Sequence, residues 1–229
     1  MPAHHLATDD DDAAVTVTFD LTLTFDNGPT DATPAVLDLL AEYDAKATFF
    51  VLGTQMAQSK LRAHAERAVA EGHWIGNHTY THTRALGQFD DLDASVAEIA
   101  DTQAAIGALS HPDRLFRPYA NGGVLDRRVL NVRAVDYLKA GGFTTVMWNA
   151  VPRDWERSDW VHIALDQCAA RPWSLMVLHD KYGRVLPGLE QFLPLAVQAG
   201  ARFRQDFPDE CLPMLRGRPT PALEPLIAR

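Results

Sequence analysis

Five short segments of this 229-residue chain carry side chains able to do acid–base or metal chemistry, and each follows an apolar run. They are Asp26-Asn27, His78 with His82, Arg117-Pro118-Tyr119, Asp154-Trp155, and His179-Asp180. The His78-x-x-x-His82 spacing puts two imidazoles on one side of a helical turn, or lets a loop fold them onto one ion. His179 closes the apolar run from Ser174 to Leu178. A His-Asp pair at the exit of a buried strand is costly to desolvate unless the imidazole is used or firmly hydrogen-bonded. The other segments say less alone. Asp26-Asn27-Gly28-Pro29 has the composition of an ordinary turn, Arg117 reads equally as a surface cation, and Asp154 as a solvated loop carboxylate. His4, His5, His64, His73, His111 and His162 have no partner spacing and read as structural or solvated.

Strand-like and helix-like segments alternate from Val15 onward and must place these residues. Apolar, β-branched runs predict strands at Leu21–Phe25, Ala47–Leu52, His73–Gly76, Leu115–Arg117, Phe143–Trp148, Ser174–His179 and Arg202–Phe203. Helical spacing predicts helices after Thr33 (an N-cap, with Pro34 at the first helical position), at Leu61–Glu71, Asp91–Leu109, Asp126–Ala140, Trp160–Ala170 and Leu189–Ala199. Repeated βα units without a break in composition imply one α/β domain with a parallel sheet, and about seven units suggest a distorted or incomplete (β/α) barrel. The expected organisation is an acidic disordered tail over 1–14, a domain over 15–207 and a Pro-rich, coil-like tail over 208–229. In such folds the functional side chains gather where strands end and loops begin.

Composition removes several classes of function. A net charge of −9 argues against a nucleic-acid surface and against anionic lipid. No apolar stretch is long enough to span a bilayer. Cys168 and Cys211 form no ligand pattern and read as buried, reduced thiols. Met1 to Ala14 has no apolar core of a signal peptide but carries Asp9 to Asp12, so the expected location is cytoplasmic, with an exported mature form as the other reading.

Taken in order, the segments resemble the motifs of the polysaccharide deacetylases, the NodB-homology domain of carbohydrate esterase family four. Thr24-Phe25-Asp26-Asn27-Gly28-Pro29 and the following Lys46-Ala47-Thr48-Phe49-Phe50-Val51 resemble the first motif and the strand after it. Asn77-His78-Thr79-Tyr80-Thr81-His82 resembles the second. Phe116-Arg117-Pro118-Tyr119, Arg153-Asp154-Trp155 and Val177-Leu178-His179-Asp180 resemble the third, fourth and fifth. The resemblance implies a metal-dependent hydrolase of non-peptide amide bonds acting on an N-acetylated sugar. It implies Asp26 as general base, His179 as general acid, Arg117 as the tether of the base and Asp154 as the carboxylate orienting His179. His78, His82 and Asn27 would hold a divalent ion, Zn²⁺ or else Co²⁺ or Ni²⁺. Tyr119 and Ala120 would supply the oxyanion amide, and Trp155, Val177 and Leu178 would form the substrate wall.

Three departures stand out. Asn27 occupies the place of a metal-binding Asp, the third motif reads Arg-Pro-Tyr-Ala rather than Arg-Pro-Pro-Tyr, and Val151 stands where an Asp is usual. Two other functions remain in view: hydrolysis of a small amide or cyclic imide, and carbohydrate binding without catalysis after loss of the metal at Asn27.

Overall fold

The computed structural model describes residues 18–180 and 185–228. The expected acidic tail therefore lies outside the described residues. The strands are β1 (Phe19–Gly28), β2 (Thr48–Val51), β3 (Trp74–Asn77), β4 (Leu115–Phe116), β5 (Thr144–Thr145), β6 (Trp173–His179), β7 (Ala201–Arg204), β8 (Met214–Leu215) and β9 (Arg218–Pro219). The helices are α1 (Thr33–Glu42), α2 (Gly53–Met56), α3 (Ser59–Ala70), α4 (Leu92–Ile106), α5 (Val132–Ala140), α6 (Trp160–Ala169) and α7 (Val185–Gln198).

The sheet runs β6-β1-β2-β3-β4-β5-β8-β9, and β7 pairs with β1. Pairing is parallel from β6 through β5, as βα crossovers require, and turns antiparallel only at β8 and β9. One isolated parallel bridge, Ala150 to Met176, joins the segment after β5 back to β6. The curled sheet thus returns on itself through the short, irregular Asn149–Ala150 segment rather than a full strand, which makes the barrel distorted. On its other edge β1 pairs with β7 over Phe19–Thr22 and with β2 from Thr24 onward.

β1 and β2 are almost wholly buried because helices cover the outside and side chains fill the inside; β2 accordingly reads as a continuous apolar run, while β1 alternates Phe19, Leu21, Leu23 and Phe25 with the polar Thr22, Thr24 and Asp26 on its other face. Leu21, Phe25, Leu37, Leu40, Phe49, Leu178 and Phe192 share one core between β1, β2, β6 and helices α1 and α7. Among the described residues, no helix is long and apolar enough to cross a membrane.

Several expectations need correction. Thr33 is the first residue of α1 rather than its N-cap, because its hydroxyl is engaged by Asp180 and by the Thr30 N–H. The helix expected from Asp126 begins at Val132. Asn131 caps it by accepting from Ala134 N, and the apolar residues before it, Val129 and Leu130, are buried in a non-helical stretch. The strand expected over Phe143–Trp148 pairs regularly only at Thr144–Thr145. The Pro-rich end is not coil over its described part. Leu212, Met214, Leu223 and Leu226 are buried, β8 covers the edge of β5, and Ala228 N donates to Leu130 O at 2.7 Å. Spaced apolar residues supplied enough burial to order short strands and 3₁₀ turns, which proline tolerates. Cys168 and Cys211 are free and buried, as expected.

Candidate active site

β1 ends in a bulge that shapes the site. Its register with β2 shifts between Asp26 and Gly28, and Asn27 sits at φ 73°. Successive residues of a regular strand face opposite sides, so the extra residue is what lets Asp26 and Asn27 both line one cleft. Asparagine is among the few side chains that accept the left-handed region readily.

Asp26 is held by Arg117, which lies behind it and is fully buried. Arg117 Nη1 donates to Asp26 Oδ1 at 2.8 Å and to Thr24 Oγ1 at 2.7 Å. Its Nε and Nη2 donate to the carbonyls of Val146 and Met147, and the guanidinium lies 4.0 Å from the Phe50 ring centroid. Burial alone would push the Asp26 carboxyl up. The charge and hydrogen bond of Arg117, with the charge of His179, outweigh it and hold the group below the ordinary carboxylate range.

His78 follows β3, and His82 lies on the loop beyond it rather than on a helical turn. The two ring centroids are 4.8 Å apart, and the His82 ring meets Tyr119 edge-on at 4.3 Å. His78 Nδ1 is 2.8 Å from the Arg117 carbonyl, which can only accept, so Nδ1 carries the proton. Burial favours the neutral ring. The Nε2 lone pair then faces Asp26 Oδ2 at 3.5 Å, two acceptors with no proton between them. Asn27 Oδ1 is buried and has no hydrogen-bond partner. Such a set of acceptors fits a divalent cation. Among the described residues no three His, Cys, Asp or Glu side chains gather as a ligand cluster. The set here is two imidazoles and an amide oxygen.

Across the cleft, His179 is the register partner of Asp26 on the neighbouring strand. Its Nδ1 meets Asp154 Oδ1 at 2.8 Å, and its backbone N–H donates to Asp154 Oδ2 at 2.9 Å. Burial would pull the imidazole pKa down, but the hydrogen bond and charge of Asp154 raise it on balance. His179 lines the cleft, and Nε2 is the ring nitrogen other than the one on Asp154. Trp155 stands edge-on to this ring at 4.9 Å.

The cleft holds roughly 420 Å³ and is lined by Asp26, Asn27, His78, His82, Tyr119, Ala120, Trp155, Val177 and His179, among others. Arg117 and Asp154 lie beneath it as buried partners of Asp26 and His179. Leu178 is not brought to the cleft: strand alternation turns it into the main core, opposite Val177 and His179. Trp148, Arg153 and Glu156 also line the cleft, although sequence reasoning did not single out the first and last. Their nearness in sequence to β5 and to Trp155 was the available signal. Asp180, noted only as a neighbour of His179, is buried and accepts from the Thr33 hydroxyl. Burial pushes its carboxyl up to about 6. A Cβ on Gly28 would come within 2.6 Å of it, so the loop after β1 seats directly on this group.

A family model described as polysaccharide deacetylase matches residues 13–144, more than half of the chain. The chain belongs to the polysaccharide deacetylase family. It is 36% identical over 165 residues to a chitooligosaccharide deacetylase of Bradyrhizobium sp., a match covering 70% of each chain. It is 31% identical over 193 residues to a peptidoglycan-N-acetylglucosamine deacetylase of Bacillus cereus, covering 80% of this chain and 84% of the relative. A family 4 carbohydrate esterase from Streptomyces lividans shares the fold, with a TM-score of 0.70 at 23% identity, over 85% of this chain and 96% of that one. This deacetylase-family chain is therefore a hydrolase on a NodB-homology domain, and its distorted barrel is the fold of those relatives.

Proposed function

We propose that the protein removes the N-acetyl group from an amino-sugar unit of an oligo- or polysaccharide, with a divalent cation held by His78, His82 and Asn27. The observation that carries this reading is the placement of Asp26 and His179. They are paired on neighbouring strands, face one cleft, and are tuned in opposite senses, the first toward its ionised form and the second toward its protonated form. That is the division an amide hydrolysis needs, one base and one acid. The chitooligosaccharide and peptidoglycan substrates named for the relatives support the sugar.

The ion, when bound, polarises the scissile carbonyl and acidifies the attacking water. Asp26, fixed by Arg117, takes the proton from that water. A backbone N–H of the Tyr119–Ala120 stretch, which lines the cleft, would stabilise negative charge developing on the carbonyl oxygen. The leaving amine departs poorly without a proton, and His179 Nε2 supplies one, Asp154 keeping the ring oriented and charged. Trp155 offers an aromatic wall for the apolar face of a sugar ring.

The test is a comparison of acetylated chitooligosaccharides, peptidoglycan fragments and cyclic imides as substrates, with chelated and Zn²⁺-replete protein. Acetate release from the sugars that depends on metal is expected, and that is lost in His179→Ala by roughly 10²–10⁴-fold. Turnover of the cyclic imides alone would overturn the sugar assignment, and undiminished turnover by His82→Ala would overturn the metal site.

A further inference from the structure

The loop from His78 to His82 belongs to neither a helix nor a strand, yet it must hold two imidazoles 4.8 Å apart. Its backbone is unusual: Thr79 lies at φ 70°, in the left-handed region that β-branched side chains avoid, and His82 enters the same region at φ 55°. A conformation of this kind persists only where its surroundings over-determine it. On one side Asn77 Oδ1 accepts from Thr79 N, while Gly53 N and Thr54 N of α2 donate to the carbonyls of Thr79 and Tyr80. The amides of Tyr80 and Thr81 would then have no strand or helix partner.

Both are taken by one carboxylate seventeen and eighteen residues away in sequence. Glu98, on the second turn of α4, accepts from Tyr80 N at 2.9 Å and from Thr81 N at 2.8 Å with Oε2, and from the Thr81 hydroxyl at 2.7 Å with Oε1. Next to it in the helix, the Ile99 carbonyl accepts from Asn77 Nδ2 at 2.9 Å. Helix α4 thus holds the loop at Tyr80 and Thr81 and the strand residue that precedes it, Asn77.

We propose that Glu98 is a positioning residue for the metal-binding histidines: its three hydrogen bonds set the shape of the loop that presents His82 beside His78. The inference rests on the reading of His78 and His82 as metal ligands. Glu98 does not line the cleft. Its contribution is preorganisation, so that binding a cation does not have to fold the loop.

Its chemistry separates positioning from simple electrostatic attraction. A glutamine at this place keeps one oxygen for the two amides, and its NH₂ can donate to the Thr81 hydroxyl, which accepts as well as donates. An aspartate keeps the negative charge but withdraws it by one methylene from all three donors. The experiment titrates Zn²⁺ into the metal-free full chain by calorimetry for the wild type, Glu98→Gln, Glu98→Asp, Glu98→Ala, His82→Ala and, as a control on the exposed side of α4, Asp101→Ala. Glu98→Asp and Glu98→Ala are expected to bind about tenfold more weakly or worse, the low end of what loss of an outer-shell partner costs. Glu98→Gln and Asp101→Ala stay near wild type. The reverse order, with Asp retaining affinity and Gln losing it, makes Glu98 a distant charge and overturns the proposal, as does wild-type affinity in all three Glu98 variants. Should Glu98→Ala fail to fold, the Gln and Asp pair still decides. Unaltered binding by His82→Ala would remove the ligand assignment itself, an outcome separate from the behaviour of Glu98.

Discussion

Arg117→Met is the substitution whose consequence follows most directly from the structure. The side chain is fully buried, and its removal strips Asp26 of a 2.8 Å ion-pair partner while leaving the carboxylate where it is. Breaking a buried pair by deleting one member costs about 3–5 kcal/mol, because the remaining charge is uncompensated. The carbonyls of Val146 and Met147 also lose their donors, which places the loss toward the upper end. For a chain of this size each kcal/mol moves Tm by about 2–4 °C, so a fall of roughly 6–20 °C is expected. In the wild type the Asp26 pKa is depressed, so its stabilising contribution is present above the ordinary carboxylate range and is lost as pH falls through the folded pKa. In Arg117→Met, burial acts without the guanidinium to oppose it, and the carboxyl titrates higher. The gap to wild type should narrow as pH is lowered from neutral. Urea unfolding of metal-free wild type, Arg117→Met, Asp26→Asn and the double variant, at two pH values, measures both effects. The double variant should be more stable than the sum of the single losses predicts. Additive losses, or a gap that does not change with pH, would refute the view that Arg117 acts by neutralising Asp26.

Asp154→Asn removes the charge that raises the His179 pKa, so the alkaline limb of the pH–rate profile should move to lower pH; an unmoved limb would mean that His179 is not the acid or Asp154 not its partner. Asn27→Asp adds a negative charge to the orphaned position in the cleft and should tighten Zn²⁺ binding to the metal-free protein in calorimetric titration, while kcat at saturating metal stays level or falls, since added charge weakens a Lewis acid. Equal or weaker binding would show that Asn27 faces away from the ion. Burial raises the Cys168 thiol to about 11 and the Cys211 thiol to about 12, so alkylation near neutral pH should track global unfolding in urea, with no modification of the native protein.

The polar strand ends, the βα alternation and the core strands could be read from the sequence because they are local facts: a run of apolar residues, a breaking Gly or Pro, and a charged or imidazole side chain after it. Four of the five segments named on that basis lie at the ends or exits of strands, the fourth, Asp154-Trp155, lies in the longer stretch after β5, and all five contribute residues to the lining of the cleft. The fourth and third also send Asp154 and Arg117 beneath it. What the sequence could not determine was set by partners far away along the chain. Leu178 was counted with the substrate wall, but whether a strand residue faces cleft or core depends on the sheet's two faces, and β6 turned it inward. The bulge at Asn27, which brings two consecutive side chains to one side, is a property of the β1–β2 pairing and not of the dipeptide. The proline-rich end looked like coil by composition; the uncovered edge of β5 made burial of Met214 worthwhile. Glu98 reads as one more exposed carboxylate of an amphipathic helix until tertiary packing brings α4 against the loop of His78 and His82. A spacing motif names the ligands, because ligand chemistry resides in single side chains. The group that holds them in place is fixed only when the whole chain has folded, because hydrogen bonds are made to whatever lies within 3 Å in space, not along the sequence.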